Sequence, residues 1–327
     1  MQSCKLARSA QALTAIAGVA AAVAPAQAQT FPSKQILLVI PYAAGGTGDI
    51  VGRLLAEKLS VTLGQSVVVE NRAGATGSIG TRAVITATPD GHTLLLGQTG
   101  EIAITPNWGK GTGYHPDKDL EPVALATMVP LALVSPASAG FKTVADLVRS
   151  AADKPITFAS AGTGTPGHFS GELLKLKSKG NMAHVPYKGA GPALNDLLGA
   201  HVQFFFSGFP AADPHAKAGS LSLLGVSSGK RSISAPDVPS VGETKGLEGF
   251  DITLWQGFFA PKGTPLEIVA RLNAEINKQL DDPEMKAKLL AQGAEPRPLS
   301  VADFAAFTKA EGEKFAGIIK DIGLPAP

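Results

Sequence analysis

The stretch LLVIPYAAGGTGDIVGRLLAEKL, Leu37–Leu59, decides how the chain folds. A strand-like apolar run breaks at Pro41 into Tyr42-Ala43-Ala44-Gly45-Gly46-Thr47-Gly48, which holds no Lys, Arg or His, and a helical pattern follows from near Asp49. Ile50, Val51, Leu54, Leu55 and Leu59 share one helix face, with Arg53 and Glu57 four apart on the other, so this helix is expected to pack on a sheet. A helix start leaves backbone N–H groups unpaired and carries about half a positive charge. Glycine there lets an anion approach the backbone closely, with no cationic side chain required.

A second stretch repeats the pattern. In ITFASAGTGTPGHFSGELLKL, Ile156–Leu176, a strand ends in small residues, a Gly/Thr loop spans Ala161 to Gly167, and a helical pattern begins near His168. In open parallel sheets, ligands sit at the carboxyl ends of strands, where both turns lie. Two such turns facing each other would bring two positive helix ends to one small anion, and closing over it would exclude water and strengthen each hydrogen bond.

Between and beyond these turns, short β-rich runs alternate with helical patterns: Ile36–Ile40, Val67–Glu70, Thr93–Gly97, Leu131–Val134, Ile156–Ala159, Gln203–Phe206, Leu223–Val226 and Phe258–Ala260. That alternation predicts an α/β fold with βαβ units and largely parallel sheets. Helix starts are predicted at Thr143-x-x-Asp146, Thr264-Pro265-x-Glu267, Asp282-Pro283 and Ser300-x-x-Asp303, and everything after Pro261 reads as helix. The chain is therefore expected to form two lobes, residues 29–125 plus 252–327 and residues 126–251, crossing near 125–134 and returning near 248–258. Val123–Val134 is too short to span a membrane and contains Pro130.

Composition narrows the classes. A chain of 327 residues with 44% hydrophobic and 17% charged residues is globular and long enough for about two domains. Lys5 and Arg8, the small apolar run Ala10–Ala24 and the Ala26-x-Ala28 site read as a secretory signal covering residues 1–28. Cys4 lies within it, so the exported chain would carry no cysteine, and its core alone must hold it. Removing Lys5 and Arg8 takes 29 basic residues to 27 against 27 acidic, which does not suit a nucleic-acid surface.

Rival chemistries find little support. Gly46-x-Gly48 with Glu70 imitates a dinucleotide fingerprint, but Val51 stands where its third glycine belongs. His92, His115, His184, His201 and His215 lack metal-ligand spacing and read as surface or structural residues, and no metal or cofactor is expected. Trp108 and Trp255 read as packing residues, and Phe204–Phe206 as a buried strand.

The motifs VIPYAAGGTGDIVGRLLAEKL, VVVENRAGATGSIGT, TPDGHTLLLGQTG, SAGTGTPGHFSGELL, HVPYKGAGPALNDLLGAHV and PHAKAGSLSLLGVSSGKRS, in this order, resemble those of the Bug-type solute-binding receptors of tripartite tricarboxylate transporters. The resemblance covers nearly all of the mature chain. It implies a periplasmic, two-lobed binding protein of the type II, Venus-flytrap class, monomeric and non-enzymatic, that captures a mono-, di- or tricarboxylate and passes it to membrane permease subunits. It implies ligand contacts from Tyr42, Ala44, Gly46, Thr47 and Asp49, and from Gln98 and Thr99 at the next strand end. From the second lobe it implies Ser160, Gly164, Thr165 and His168, with Tyr187 and Ser207 lining the cleft and Lys188 as a lesser candidate. Asp49 is also a natural helix cap. Many relatives carry Phe-Asp-Asn-Leu-Pro where this chain has Phe206-Ser207-Gly208-Phe209-Pro210, which implies a ligand without an ammonium group. His92 stands where tyrosine is common and Ala73 where proline is; both read as structural. An exported α/β enzyme acting on an organic acid and a sensory binding protein remain the alternatives.

Overall fold

The computed structural model describes residues 31–108 and 112–324. The secretory signal expected at 1–28 lies outside the described residues. The first half alternates as expected: β1 (Ile36–Ile40), α1 (Thr47–Leu63), β2 (Val67–Asn71), α2 (Ser78–Ile85), β3 (Thr93–Gln98), then the short α3 (Pro116–Asp119) and the long β4 (Leu120–Pro136). The second runs α4 (Val144–Asp153), β5 (Ile156–Ser160), α5 (Pro166–Ser178), β6 (Met182–Pro186), α6 (Ala190–Leu198), β7 (Phe204–Gly208), α7 (Phe209–Lys217) and β8 (Leu221–Val226). The chain closes with β9 (Thr253–Pro261), α8 (Leu266–Asp281), α9 (Pro283–Ala291), the two-residue β10 (Glu295–Pro296) and α10 (Val301–Ile322).

Two parallel three-stranded groups, β2-β1-β3 and β6-β5-β7, flank a central antiparallel pair, β9 and β4. The sheets are therefore mixed, not largely parallel, because β4 and β9 run between the two groups and pair antiparallel with their neighbours. β4 pairs with β9 from Leu120 to Pro130 and with β7 and β8 from Leu131 onward. Pro130, which lacks an N–H, stands where the partner changes. From Phe31 on the chain is one compact unit, since this one strand belongs to both halves.

The apolar stripe of α1 packs as its spacing requires: Val51, Leu55 and Leu59 are buried against Ile36, Leu38 and Ile40 of β1 and Leu94 and Leu96 of β3. In the second half Gly171 lets α5 lie on Phe158 of β5 at a distance no side chain would allow. Predicted caps form at Thr143, Asp282 and Ser300, each accepting the N–H three residues on. At α8 the helix starts at Leu266, because Pro265 is extended and Thr264 Oγ1 donates to Pro261 O instead. Among the described residues β10, paired with β4, is the one strand after Pro261. Among the described residues no helix is long and apolar enough to cross a membrane.

Candidate functional site

The turn between β1 and α1 is held by Asp49. Gly45 turns the chain at φ 84°, and its N–H donates to Asp49 Oδ2 (2.9 Å), while Arg53 Nε and Asn71 Nδ2 donate to Oδ1 (3.0 Å each). Burial pushes the Asp49 carboxyl upward, but the hydrogen bonds from Arg53, Gly45 and Asn71 outweigh it and hold the group below the usual carboxylate range. Its negative charge is thus spent on shaping the loop. The N-cap of α1 is Gly46, without any side-chain cap, so the amides of Thr47 and Gly48 have no intrahelical acceptor and remain available to an outside one.

The turn between β5 and α5 is more internally braced. Thr165 caps α5 by accepting from His168 N (3.4 Å), Gly164 N donates to His168 Nδ1 (3.3 Å), and Gly162 N donates to Ser160 Oγ (3.1 Å). Ser160 Oγ also lies 2.6 Å from His184 Nε2, and the His168 and His184 rings lie with centroids 4.0 Å apart, tilted by 32°. Burial lowers the pKa of His168 to about 3, with His184 adding to the effect, and burial lowers that of His184 to about 4. Both rings are neutral at pH 7, so this loop offers dipoles and no formal charge. Gly167, second residue of α5, keeps an amide with no intrahelical acceptor.

Both turns open onto one cavity of about 350 Å³. The first residues of four helices reach it: Gly46 and Thr47 of α1, Thr165 to Gly167 of α5, Ala190 of α6, and Gly208, Pro210 and Ala211 of α7. Tyr42, Gly45, Ile50, Gln98, Gly100, Val129, Leu131, Ala161, Phe205, Phe206, Leu254 and Gln292 complete the wall. Among the described residues that line it, none carries a charged side chain. Positive potential comes from helix ends alone, in a space walled mainly by apolar groups, where the low dielectric raises its effect.

Behind the first loop lie two buried polar groups. Gln98 and Gln256 face each other across β3 and β9. Gln256 is fully buried, its Oε1 accepts from Thr127 Oγ1 (3.1 Å), and its Nε2 has no partner among the described residues. A Cβ at Gly48 would lie 2.5 Å from Gln98 Nε2 and 3.7 Å from Gln256 Nε2, so glycine lets the α1 start rest on both amides. The second is Glu101, fully buried, with Tyr42 Oη 2.7 Å from Oε2 and the Gln98 N–H on Oε1. Burial pushes Glu101 up to about 8 and, with Glu101 beside it, the Tyr42 phenol well above its ordinary value. Glu101 thus keeps its proton well above the usual carboxylate range and fixes Tyr42 against the cavity.

Residues 51–324 match the family described as the tripartite tricarboxylate transporter family receptor, TctC. The chain belongs to this receptor family. Its relatives include a UPF0065 protein of Pseudomonas sp. strain P51, 36% identical over 95% of this chain and 94% of the relative, and the BugT protein of Bordetella pertussis, 35% identical over 94% of each. Among solved receptors, R. palustris Rpa4515 with adipate superposes at a TM-score of 0.83, with 33% identity over 90% of this chain and 99% of the other. The periplasmic binding protein BugD superposes at 0.78, with 33% identity over 90% and 99%. MatC from Rhodopseudomonas palustris, with bound malate, superposes at 0.77, with 33% identity over 88% and 100%. The TctC family is one of solute receptors rather than enzymes, and the fold is that of periplasmic binding proteins.

Of the contacts that the receptor resemblance implies, Tyr42, Gly46, Thr47, Gln98 and Thr165 line the cavity together. The others stand apart from its wall. Ala44 is exposed on the loop, and Asp49 is turned onto Gly45, Arg53 and Asn71. Thr99 is buried, tying β3 to β9 through Thr253 O and Trp255 N. Ser160 and His168 brace the second loop from beneath, and Gly164 faces Thr76 and Trp108, to which a Cβ would come within 3.7 and 3.4 Å. Tyr187 Oη donates to Asp196 (2.6 Å), and Ser207, fully buried, donates to Gly208 O (3.3 Å). Gln256 and Glu101 went unnoticed in the sequence. Their one signal is a polar residue set in an apolar run, Leu254-Trp255-Gln256-Gly257-Phe258 and Glu101-Ile102-Ala103-Ile104.

Proposed function

We propose that this chain is a periplasmic receptor that captures a small carboxylate between two lobes and delivers it to the membrane permease of a tripartite tricarboxylate transporter. The observation that carries the reading is one cavity reached by the uncapped start of α1 and the start of α5, with no charged side chain among the described residues of its wall. A carboxylate there would accept from Thr47, Gly48 and Gly167 amides, with the Thr47 and Thr165 hydroxyls and Gln98 beside it. Asp49, Ala44, Thr99, Ser160, Gly164, His168, Tyr187 and Ser207 would act by shaping the two loops. Adipate in Rpa4515 and malate in MatC support a carboxylate as the guest class. We assign lobe 1 to residues 29–125 plus 252–327 and lobe 2 to 126–251, working as a monomer after loss of residues 1–28.

A thermal-shift screen of small carboxylates on dialysed protein tests this. Ligand at about 100 times its Kd stabilises by about 2.7 kcal/mol, near 4 °C in Tm for a chain of this size. Gly46→Asp should abolish the shift, since aspartate is a favoured N-cap whose carboxylate would occupy the same amides. A Cβ at Gly46 has room, with Ala43 O at 3.6 Å, so the variant should keep or raise its unliganded Tm. A flat screen, or a Gly46→Asp variant that binds like the parent, would overturn the assignment.

A further inference from the structure

The floor of the cavity is graded from polar to apolar along one strand. Val129 and Leu131 of β4 line the cavity, and Thr127, two residues before Val129 on the same face of the strand, is fully buried and outside its wall. Opposite Thr127 in β9 stands Gln256, itself opposite Gln98 of β3; opposite Val129 stands Leu254. The three amide- and hydroxyl-bearing side chains therefore gather under the start of α1, where Gly48 touches both glutamines. From there to Leu131 the strand advances about 13 Å, at about 3.3 Å per residue. Val129, Leu254 and Leu131 cover that distance, with Ile50 and Pro210 completing the apolar wall. The helix starts of α6 and α7 also reach the cavity, but Pro192 and Pro210 each remove one amide from those first turns.

Resting on the carboxylate reading, we infer that the ligand is a monocarboxylate with an uncharged, mainly hydrocarbon tail, its head at the start of α1 beside Gln98 and its tail along Val129, Leu254 and Leu131. Val129, Leu254 and Leu131 offer no side-chain donor, so a second carboxylate laid on that stripe would lose its hydration without replacement. An ammonium group would find no carboxylate in the wall. The tail stripe thereby selects among organic acids, while the helix starts select the acid itself.

Calorimetry on the dialysed protein with propionate, butanoate, pentanoate and hexanoate reads the tail directly. Affinity should rise about fourfold per methylene, the equivalent of about 0.8 kcal/mol each. Hexanoate should bind at least tenfold tighter than succinate, citrate or glutamate, and Leu254→Gln should flatten the series. A flat series in the parent, or succinate, citrate or glutamate binding tighter than hexanoate, would overturn the tail assignment and leave the carboxylate reading standing. Hexanamide binding as tightly as hexanoate, or no acid binding at all, would overturn the carboxylate reading and the tail assignment with it.

Discussion

Glu101 shows how a single side chain can serve a charge-free site without entering it. Its carboxyl lies behind Tyr42 and beneath Gln98 N, and burial raises its pKa from 4.5 to about 8. Between those values the unfolded chain has released a proton that the folded chain keeps, so stability is full below pH 4.5 and falls as pH rises through 8. The loss is on the order of a few kcal/mol. Glu101→Gln removes the titration, and its urea midpoint should change less between pH 5 and pH 8.5 than that of the parent. Equal slopes would mean that another group dominates alkaline destabilisation. Residue types alone could not reveal this, since Glu101 sits three residues past a strand end like any loop acid.

At the level of elements, what was readable depended on how local the cause was. Thr143, Asp282 and Ser300 cap their helices because a cap needs only a side-chain oxygen and an amide three residues away. Thr264 does not, since Pro265 holds an extended conformation and moves the start to Leu266. β6 was missed because Met182–Pro186 carries a histidine and a proline in five residues, and it becomes a strand by pairing with β5. The antiparallel centre was equally hidden, because β4 and β9 meet across more than a hundred residues. The seat of α5 on β5 offers a test of packing at this scale. Gly171→Ala would drive a methyl group into the Phe158 ring, and such overpacking costs about 1–3 kcal/mol, read as a lower Tm. An unchanged Tm would show that α5 can lift from β5 freely.

Across the whole molecule, the two Gly-rich turns were legible one at a time, since each is a strand, a loop and a helix start in sequence. That they share a cavity follows from β4 and β9 crossing between the halves, a tertiary fact. The same crossing supplies Val129, Leu131 and Leu254, whose place in the wall no motif announces. Family membership and a charge-free wall converge on an anion held by backbone dipoles. A crystal structure of the protein with the tightest-binding acid measures this directly. The account predicts carboxylate oxygens within hydrogen-bond distance, about 2.7–3.2 Å, of the Thr47 or Gly48 amides, with no lysine or arginine touching them. A carboxylate paired with a cationic side chain, or seated outside this cavity, would contradict it.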